Sequence, residues 1–232
     1  MSPRISAAAA LLSSTLLLAS GCGETRKASC SPLDSTAAWA LVNQAWSREV
    51  GKTWTNDSLR EVLLHLAERD QAARDSFATR LNDSAYVRQL NLLDSSLAVE
   101  LSGILNRFGL PTRTLVGAAG SDAAFLIIQH NDELQQRVLS MARTLPATEV
   151  SPQALAMLED RVRTHTGQLQ RYGTQFTLGQ DGVFRFAPTE SLPGLEARRA
   201  LAGLPPLAQY VCLFEESGMR IDRRSLPAPP VP

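Results

Sequence analysis

The sequence is short of the residues through which most motif-borne chemistry is recognised. It holds three histidines, and no two of them have the His-x-x-x-His or His-Glu-x-x-His spacing that sets paired imidazoles on one helix face around a metal. No metal site is expected, and no cofactor. There is no Gly-x-Ser-x-Gly elbow to expose a nucleophilic serine and no glycine-rich phosphate loop. Net charge is missing too, since 23 Lys and Arg balance 23 Asp and Glu, interspersed as on an ordinary solvated surface. A nucleic-acid partner would need a basic face, so none is expected. No internal repeat is present, and only one long apolar run.

That run opens the chain. Arg4 precedes an apolar stretch from Ala7 to Leu18, closed by Leu18-Ala19-Ser20-Gly21-Cys22. A basic start, an apolar stretch of roughly 12 residues and small residues before a cut are the layout of a secretory signal. The stretch is shorter than the about 20 residues a membrane span requires. A cysteine directly after Ala-Ser-Gly resembles a lipoprotein signal, in which the thiol takes a diacylglycerol before cleavage. The expectation is a signal peptide over 1–21, acylation of Cys22 and a partner in the lipid bilayer. An ordinary signal cut near Ala19, or a simple anchor, is the alternative. Gly23 stands where an aspartate would favour inner-membrane retention, so the periplasmic face of an outer membrane is the favoured location. Residues 22–32 are polar and turn-rich and read as a tether; ten extended residues reach about 35 Å at most.

With Cys22 lipidated, Cys30 and Cys212 remain, in a compartment where disulfides persist. A bridge between them would close a very long loop, worth about 5 kcal/mol at most by chain entropy. The other reading of Cys212, inside Val211-Cys212-Leu213-Phe214, is a small buried hydrophobe.

The rest reads as one mainly α domain over 33–224, a bundle of about six to eight helices with one short β-hairpin, and a proline-rich tail over 225–232. A helix is predicted over Ser35–Glu49, a long one from Thr55-Asn56-Asp57 to about Arg80, and another over Ser84–Phe108 ended by Gly109 and Pro111. Leu59, Val62, Leu63, Leu66, Ala73 and Phe77 form the apolar stripe of the second. Leu90, Leu97, Leu101, Ile104 and Phe108 form that of the third. Ser121-Asp122 reads as the cap of a short buried helix over Ala123–His130. Further helices are predicted over Glu133–Arg143, from Ser151-Pro152 to His165, up to Ala202, and up to Phe214. Phe176, Leu178, Phe184 and Phe186 alternate with polar residues around Gly179–Gly182, which predicts the hairpin.

Several polar residues fall where a scaffold would be apolar. Asp70 and Asp94 lie on apolar stripes, where a carboxylate must find a partner, shift its pKa or line a wet cavity. Arg74, one turn after Asp70, is a candidate partner; a different helix phase would put both acids in solvent. Gln129-His130 ends the buried helix. There a histidine either caps the helix, its charged form favoured by the dipole, or serves a site. Asp160 and Arg161 sit on a helix whose apolar face is Leu155, Leu158 and Val162, and read as a salt bridge or a site. Glu159 reads as an i,i+4 pair with Arg163. Gln170, Tyr172 and Gln175, around a Gly173 that permits close backbone approach or a positive φ, supply uncharged donors and acceptors.

Taken in order, Asp70-Gln71 with Arg74, Asp94, Gly109-x-Pro111, Leu115-Val116-Gly117, Gln129-His130, Asp160-Arg161-Val162 and Gln170-x-Tyr172-Gly173-Thr174-Gln175 resemble a bacterial family. It is the domain of unknown function numbered sixty-six twenty-four. The resemblance spans roughly residues 60–210 and implies no activity. It departs at Asn131, where the family more often has a small residue before an acid, which leaves Asp132 without an assigned role.

Two functions are in view, with a purely structural role behind them. One is a binding lipoprotein whose polar pocket (Asp70, Gln71, Arg74, Asp94, Gln129, Arg161, Gln170, Tyr172, Gly173, Gln175) takes a small molecule or peptide of the cell envelope, or a protein partner there. The other is a metal-independent hydrolase or lyase, with His130 as general base and Asp70 or Asp160 orienting it.

Overall fold

Side-chain caps start most of the helices, and the sequence carries them in plain view. The computed structural model describes residue 30 and residues 36–49, 51–75, 79–80 and 83–227. The signal segment, Cys22, the tail beyond 227 and Phe77 lie outside the described residues. Asn56 accepts from the Leu59 N–H to open α2 (Asp57–Arg74), and Asp83 accepts from Ala85 and Tyr86 to open α3 (Ser84–Phe108). Asn131 opens α5 (Asp132–Ala142), and Ser151 with Pro152 at the first position opens α6 (Pro152–His165). Each cap satisfies an N–H that the helix itself leaves without a partner, worth about 1 kcal/mol. A first helix, α1 (Ala38–Ser47), starts without a side-chain cap. The chain is mainly α with one hairpin, β1 (Phe176–Leu178) and β2 (Phe184–Phe186), antiparallel with Phe176 opposite Phe186. After it come α7 (Leu195–Leu201), α8 (Leu207–Glu216) and a 3₁₀ turn over Arg223–Ser225. Among the described residues no helix is long and apolar enough to cross a membrane.

The fourth helix differs from expectation. It runs from Arg113 to Ile128 (α4), ten residues longer at its start than the short helix predicted over Ala123–His130. Thr112 caps its first turn, and Gly117, at φ +73°, breaks it. Beyond the break the Glu49 carboxylate accepts from the Ala118 N–H, so a side chain from another part of the chain restarts the helix. Arg60 donates to the Val116 carbonyl on the other side of the break, 2.8 Å away. A Cβ on Gly117 would meet both Arg60 and Glu49. Ser121 and Asp122 are therefore interior residues, not caps. The second helix ends at Arg74 rather than near Arg80.

Among the described residues three apolar clusters result, two of them large. Leu63, Leu97, Leu101, Val116, Ile128 and Val138 belong to the largest, between α2 and α6; each such side chain contributes about 1.5–3 kcal/mol when fully buried. Val62 and Phe108, read as stripe residues, are exposed: Val62 lies one position off the buried Leu63, and Phe108 is the last residue of α3. The second gathers Phe176, Phe184, Tyr210 and Phe214 with Tyr86 and Leu90 from the start of α3, so the hairpin and α8 pack on that end of the bundle. Cys30 and Cys212 form a disulfide, and the Cys30 N–H also donates to Glu216. Position 30, read as part of a tether, is thus clipped to α8.

Candidate functional site

Asp70 lies on the buried face of α2, in phase with Leu63 and Leu66, and is 1% exposed. Arg74, four residues on, holds it at 3.1 Å, and the same guanidinium reaches across to Asp94 of α3. Gln71 donates its amide to the other Asp70 oxygen at 2.8 Å. One arginine thus clamps two acids; its pairing with Asp70 is the one the helix spacing suggested, and its reach to Asp94 is not. Burial raises the pKa of both despite the pull of Arg74, and brings Asp94 to about 6, helped by the charge of Asp70.

His130 follows Gln129, the C-cap of α4. Its Nε2 stands 3.7 Å from Asp70 Oδ1, too far for a hydrogen bond, and has no hydrogen-bond partner among the described residues. The dipole at this helix end was expected to favour the imidazolium. Burial, then the positive charges of Arg74 and Arg161, overturn that expectation and hold the pKa well below its usual value. The ring is neutral at pH 7.

Asp160 and Arg161, neighbours on α6, have opposite fates. The Asp160 carboxylate accepts from the backbone N–H groups of Arg171, Tyr172 and Thr174 and from the Thr174 hydroxyl, at 2.5–3.1 Å. Burial raises its pKa while these bonds lower it. It pins the loop that leads into β1. Gln170 completes the loop by donating to the carbonyls of Gln175 and Ala187 and accepting from the Gln175 N–H. Gln175 donates to Thr174 and, more weakly, to the Met157 carbonyl. Gly173, at φ +67°, allows the turn, and its carbonyl and that of Tyr172 accept from the fully buried Arg199. Tyr172 packs against the small cluster of Ala156, Met157, Ala202 and Leu204. The sequence pattern suggests a pocket role for these residues. The structure places them in the loop network, and Asp160 is bonded to the loop rather than to His130.

Arg161 is 1% exposed and forms no ion pair among the described residues. Its Nη1 donates to the Gln129 carbonyl at 2.7 Å, and its Nη2 has no partner among the described residues. Burial lowers its pKa to about 10, which still leaves it charged at pH 7. It lies in the wall of a cavity of about 230 Å³ between α1, α4 and α6. Trp46 and Asn43 line the cavity from α1, Asp122, Phe125 and Gln129 from α4, and Ala154 and Met157 from α6. Asp122 takes the Trp46 indole N–H on both oxygens, at 3.1 and 3.0 Å, and has no cation beside it among the described residues. Burial raises its pKa to about 6, with Glu49 adding to the rise.

The predicted site therefore divides. Asp70, Gln71, Arg74, Asp94 and His130 come together, with Arg161 close enough to act on the His130 proton; Asp160, Gln170, Tyr172, Gly173 and Gln175 form the loop network. The Glu159–Arg163 pair does not form, because Arg163 is held by Glu190 at 2.7 Å and Glu159 faces Arg143 at 3.7 Å. Asp132, left without a role, pairs with His165 at 2.9 Å. Asp122, Gln135 and Arg199 were missed. Arg199 follows Leu195 by four residues on the buried face of α7, and Gln135 shares the face of Val138 and Leu139, so helix phase carried both signals. Asp122 was hidden by its reading as a cap.

A chemistry follows from this geometry. A buried guanidinium without an anion is costly, and a donor left without an acceptor costs about 1–3 kcal/mol. An anion entering the cavity would relieve both. A family model described as a family of unknown function (DUF6624) matches residues 57–222. No curated protein and no solved structure matches the chain.

Proposed function

Since the chain belongs to the DUF6624 family, from which no activity transfers, we propose a function from its own site: an envelope lipoprotein, held on a membrane by acylated Cys22, that binds a small anionic molecule in the cavity beside Arg161. One observation carries the binding reading. Arg161 lines the cavity, is buried and charged, and among the described residues has no carboxylate beside it and no partner for its Nη2. The apolar faces of Phe125 and Met157 would cover the body of a ligand, as in most small-molecule sites. Calorimetric titration with hexanoate, against uncharged hexanamide, tests it. Hexanoate is expected to bind, hexanamide not, and Arg161→Met to remove the difference; equal behaviour of the two probes would end the proposal. The anchoring reading rests on the Ala-Ser-Gly-Cys22 signal. Cys22→Ser is expected to block processing, and normal maturation of that variant would refute it.

A second reading, a metal-independent hydrolase or lyase, is favoured by one feature. His130 is neutral, and its Nε2 lies idle 3.7 Å from Asp70, the arrangement from which a general base could act once a substrate closes the gap. Hydrolysis of p-nitrophenyl acetate above that of His130→Ala would support it; equal rates would count against it.

A further inference from the structure

The cavity beside Arg161 has a second charged end. Asp122 opens on it from α4, and its only hydrogen-bond partner among the described residues is the neutral indole of Trp46. Arg161 holds the opposite end through the Gln129 carbonyl. Asp122 and Gln129 are seven residues apart on one helix, two turns, which separates the two charged ends by about 10 Å along its axis. One cavity thus carries an unmatched acid and an unmatched base, with apolar wall between them from Phe125, Ala154 and Met157. Buried charges of opposite sign too far apart to pair with each other are matched by a ligand that carries both.

We propose that the ligand is a short zwitterionic peptide of dipeptide length, its carboxylate on Arg161 and its ammonium on Asp122; this rests on the pocket reading above. Length follows from the spacing. That axial figure is a lower bound, because the Asp122 side chain tilts toward the start of α4 while the Gln129 carbonyl, with Arg161 beyond it, points past its end. Allowing about 3 Å for a hydrogen bond at each end leaves more than about 4 Å between the ligand's charges, against about 3 Å in a free α-amino acid. A free α-amino acid, whose charges flank a single carbon, cannot reach both, whereas two extended residues span up to about 7 Å. The wall between the ends is suited to a peptide rather than to a plain hydrocarbon chain, because Asn43, Ser47 and Gln153 also line it and can meet an amide. Asn43 is partly used, since its amide donates to the Gly203 carbonyl at 2.7 Å. Its Oδ1 lies against Gly203, so Ser47 and Gln153 remain to meet the amide.

The test is calorimetric titration of the full-length protein in detergent with L-alanyl-L-leucine, its N-acetyl form, its C-terminal amide, free leucine and hexanoate. The free dipeptide is expected to bind at least tenfold tighter than either capped form and tighter than leucine. In Asp122→Asn its affinity should fall to that of the N-acetyl form, while the N-acetyl form binds as before. Arg161→Gln should bring it to that of the amide, with a thermal melt to check the fold. Two results overturn the proposal: capping changes affinity less than twofold, or Asp122→Asn weakens capped and free peptide alike. If hexanoate binds and the dipeptide does not, the peptide proposal falls and the pocket reading stands. If no probe binds, both fall.

Discussion

Asp160 and Arg161 are consecutive residues of one helix, both buried and of opposite charge, and their roles part on how fully each is bonded. Every approach to the Asp160 carboxylate is occupied, by three N–H groups and a hydroxyl from one loop. Arg161 has one acceptor, the Gln129 carbonyl, and a nitrogen with none. The satisfied group holds the fold together; the unsatisfied one is an unbalanced cost that a ligand can relieve. Burial and charge alone do not separate the two roles. The count of filled valences does.

The comparison breaks first at Asp160. Replacing it with Ala strands three N–H groups and a hydroxyl, at about 1–3 kcal/mol each. Asp160→Ala is expected to be more damaging than any change at Arg161, Asp122 or the disulfide, and to unfold most of the protein in a urea titration. A loss below about 2 kcal/mol would show that the loop does not depend on it.

The disulfide comes next. It joins Cys30 to Cys212 across 182 residues of sequence, and α8 also carries Tyr210, whose hydroxyl donates to the Thr174 carbonyl of the anchored loop. Breaking it with Cys30→Ser and Cys212→Ser together is expected to cost up to about 5 kcal/mol. The loss should fall on the loop side, so hydrogen exchange should rise around Thr174 while hexanoate binding by the folded fraction persists. Uniformly raised exchange, with binding lost, would contradict the separation.

A smaller effect is expected at Asp122. Its folded pKa of about 6 lies above the usual aspartate value, about 3.9. The native state therefore holds the extra proton between those values, and the stability this confers is lost as pH rises from about 4 through 6. Asp122→Asn should reduce the fall in Tm between pH 4.5 and 7. Asp94 and Asp70 contribute with the same sign, so the slope should lessen rather than vanish. An unchanged slope would mean that the Asp122 carboxylate is not held out of water.

Much of this was legible in the sequence. Caps and helix phase foretold α3, α6, the hairpin and the burial of Asp70 with Arg74 as its partner, because those signals are local and periodic. The division of the site was not legible. The Asp160 bonds span 11 to 14 residues and depend on backbone N–H groups, which every residue but proline carries, so no side-chain pattern marks them. The start of α4 was hidden for a like reason. Glu49 caps Ala118 from 69 residues away, and the polar pair Ser121-Asp122 offered a nearer cap. The charge state of His130 was misread because the dipole is visible in sequence while the arginines that oppose it, Arg74 and Arg161, come from other helices.

Arg161→Met tests the central distinction most directly. Methionine fills similar volume without charge, and the Gln129 carbonyl keeps a partner because Gln135 also donates to it at 2.9 Å. The measurement is the melting temperature of this variant without ligand, beside its hexanoate binding. An idle guanidinium gives up little when it is removed, so the Tm should rise or stay within about 2–4 °C of the parent, about 1 kcal/mol for a chain of this size, with binding abolished. A large fall in Tm, comparable to that of Asp160→Ala, with hexanoate still bound by the folded fraction, would show that Arg161 is structural and that the account is wrong.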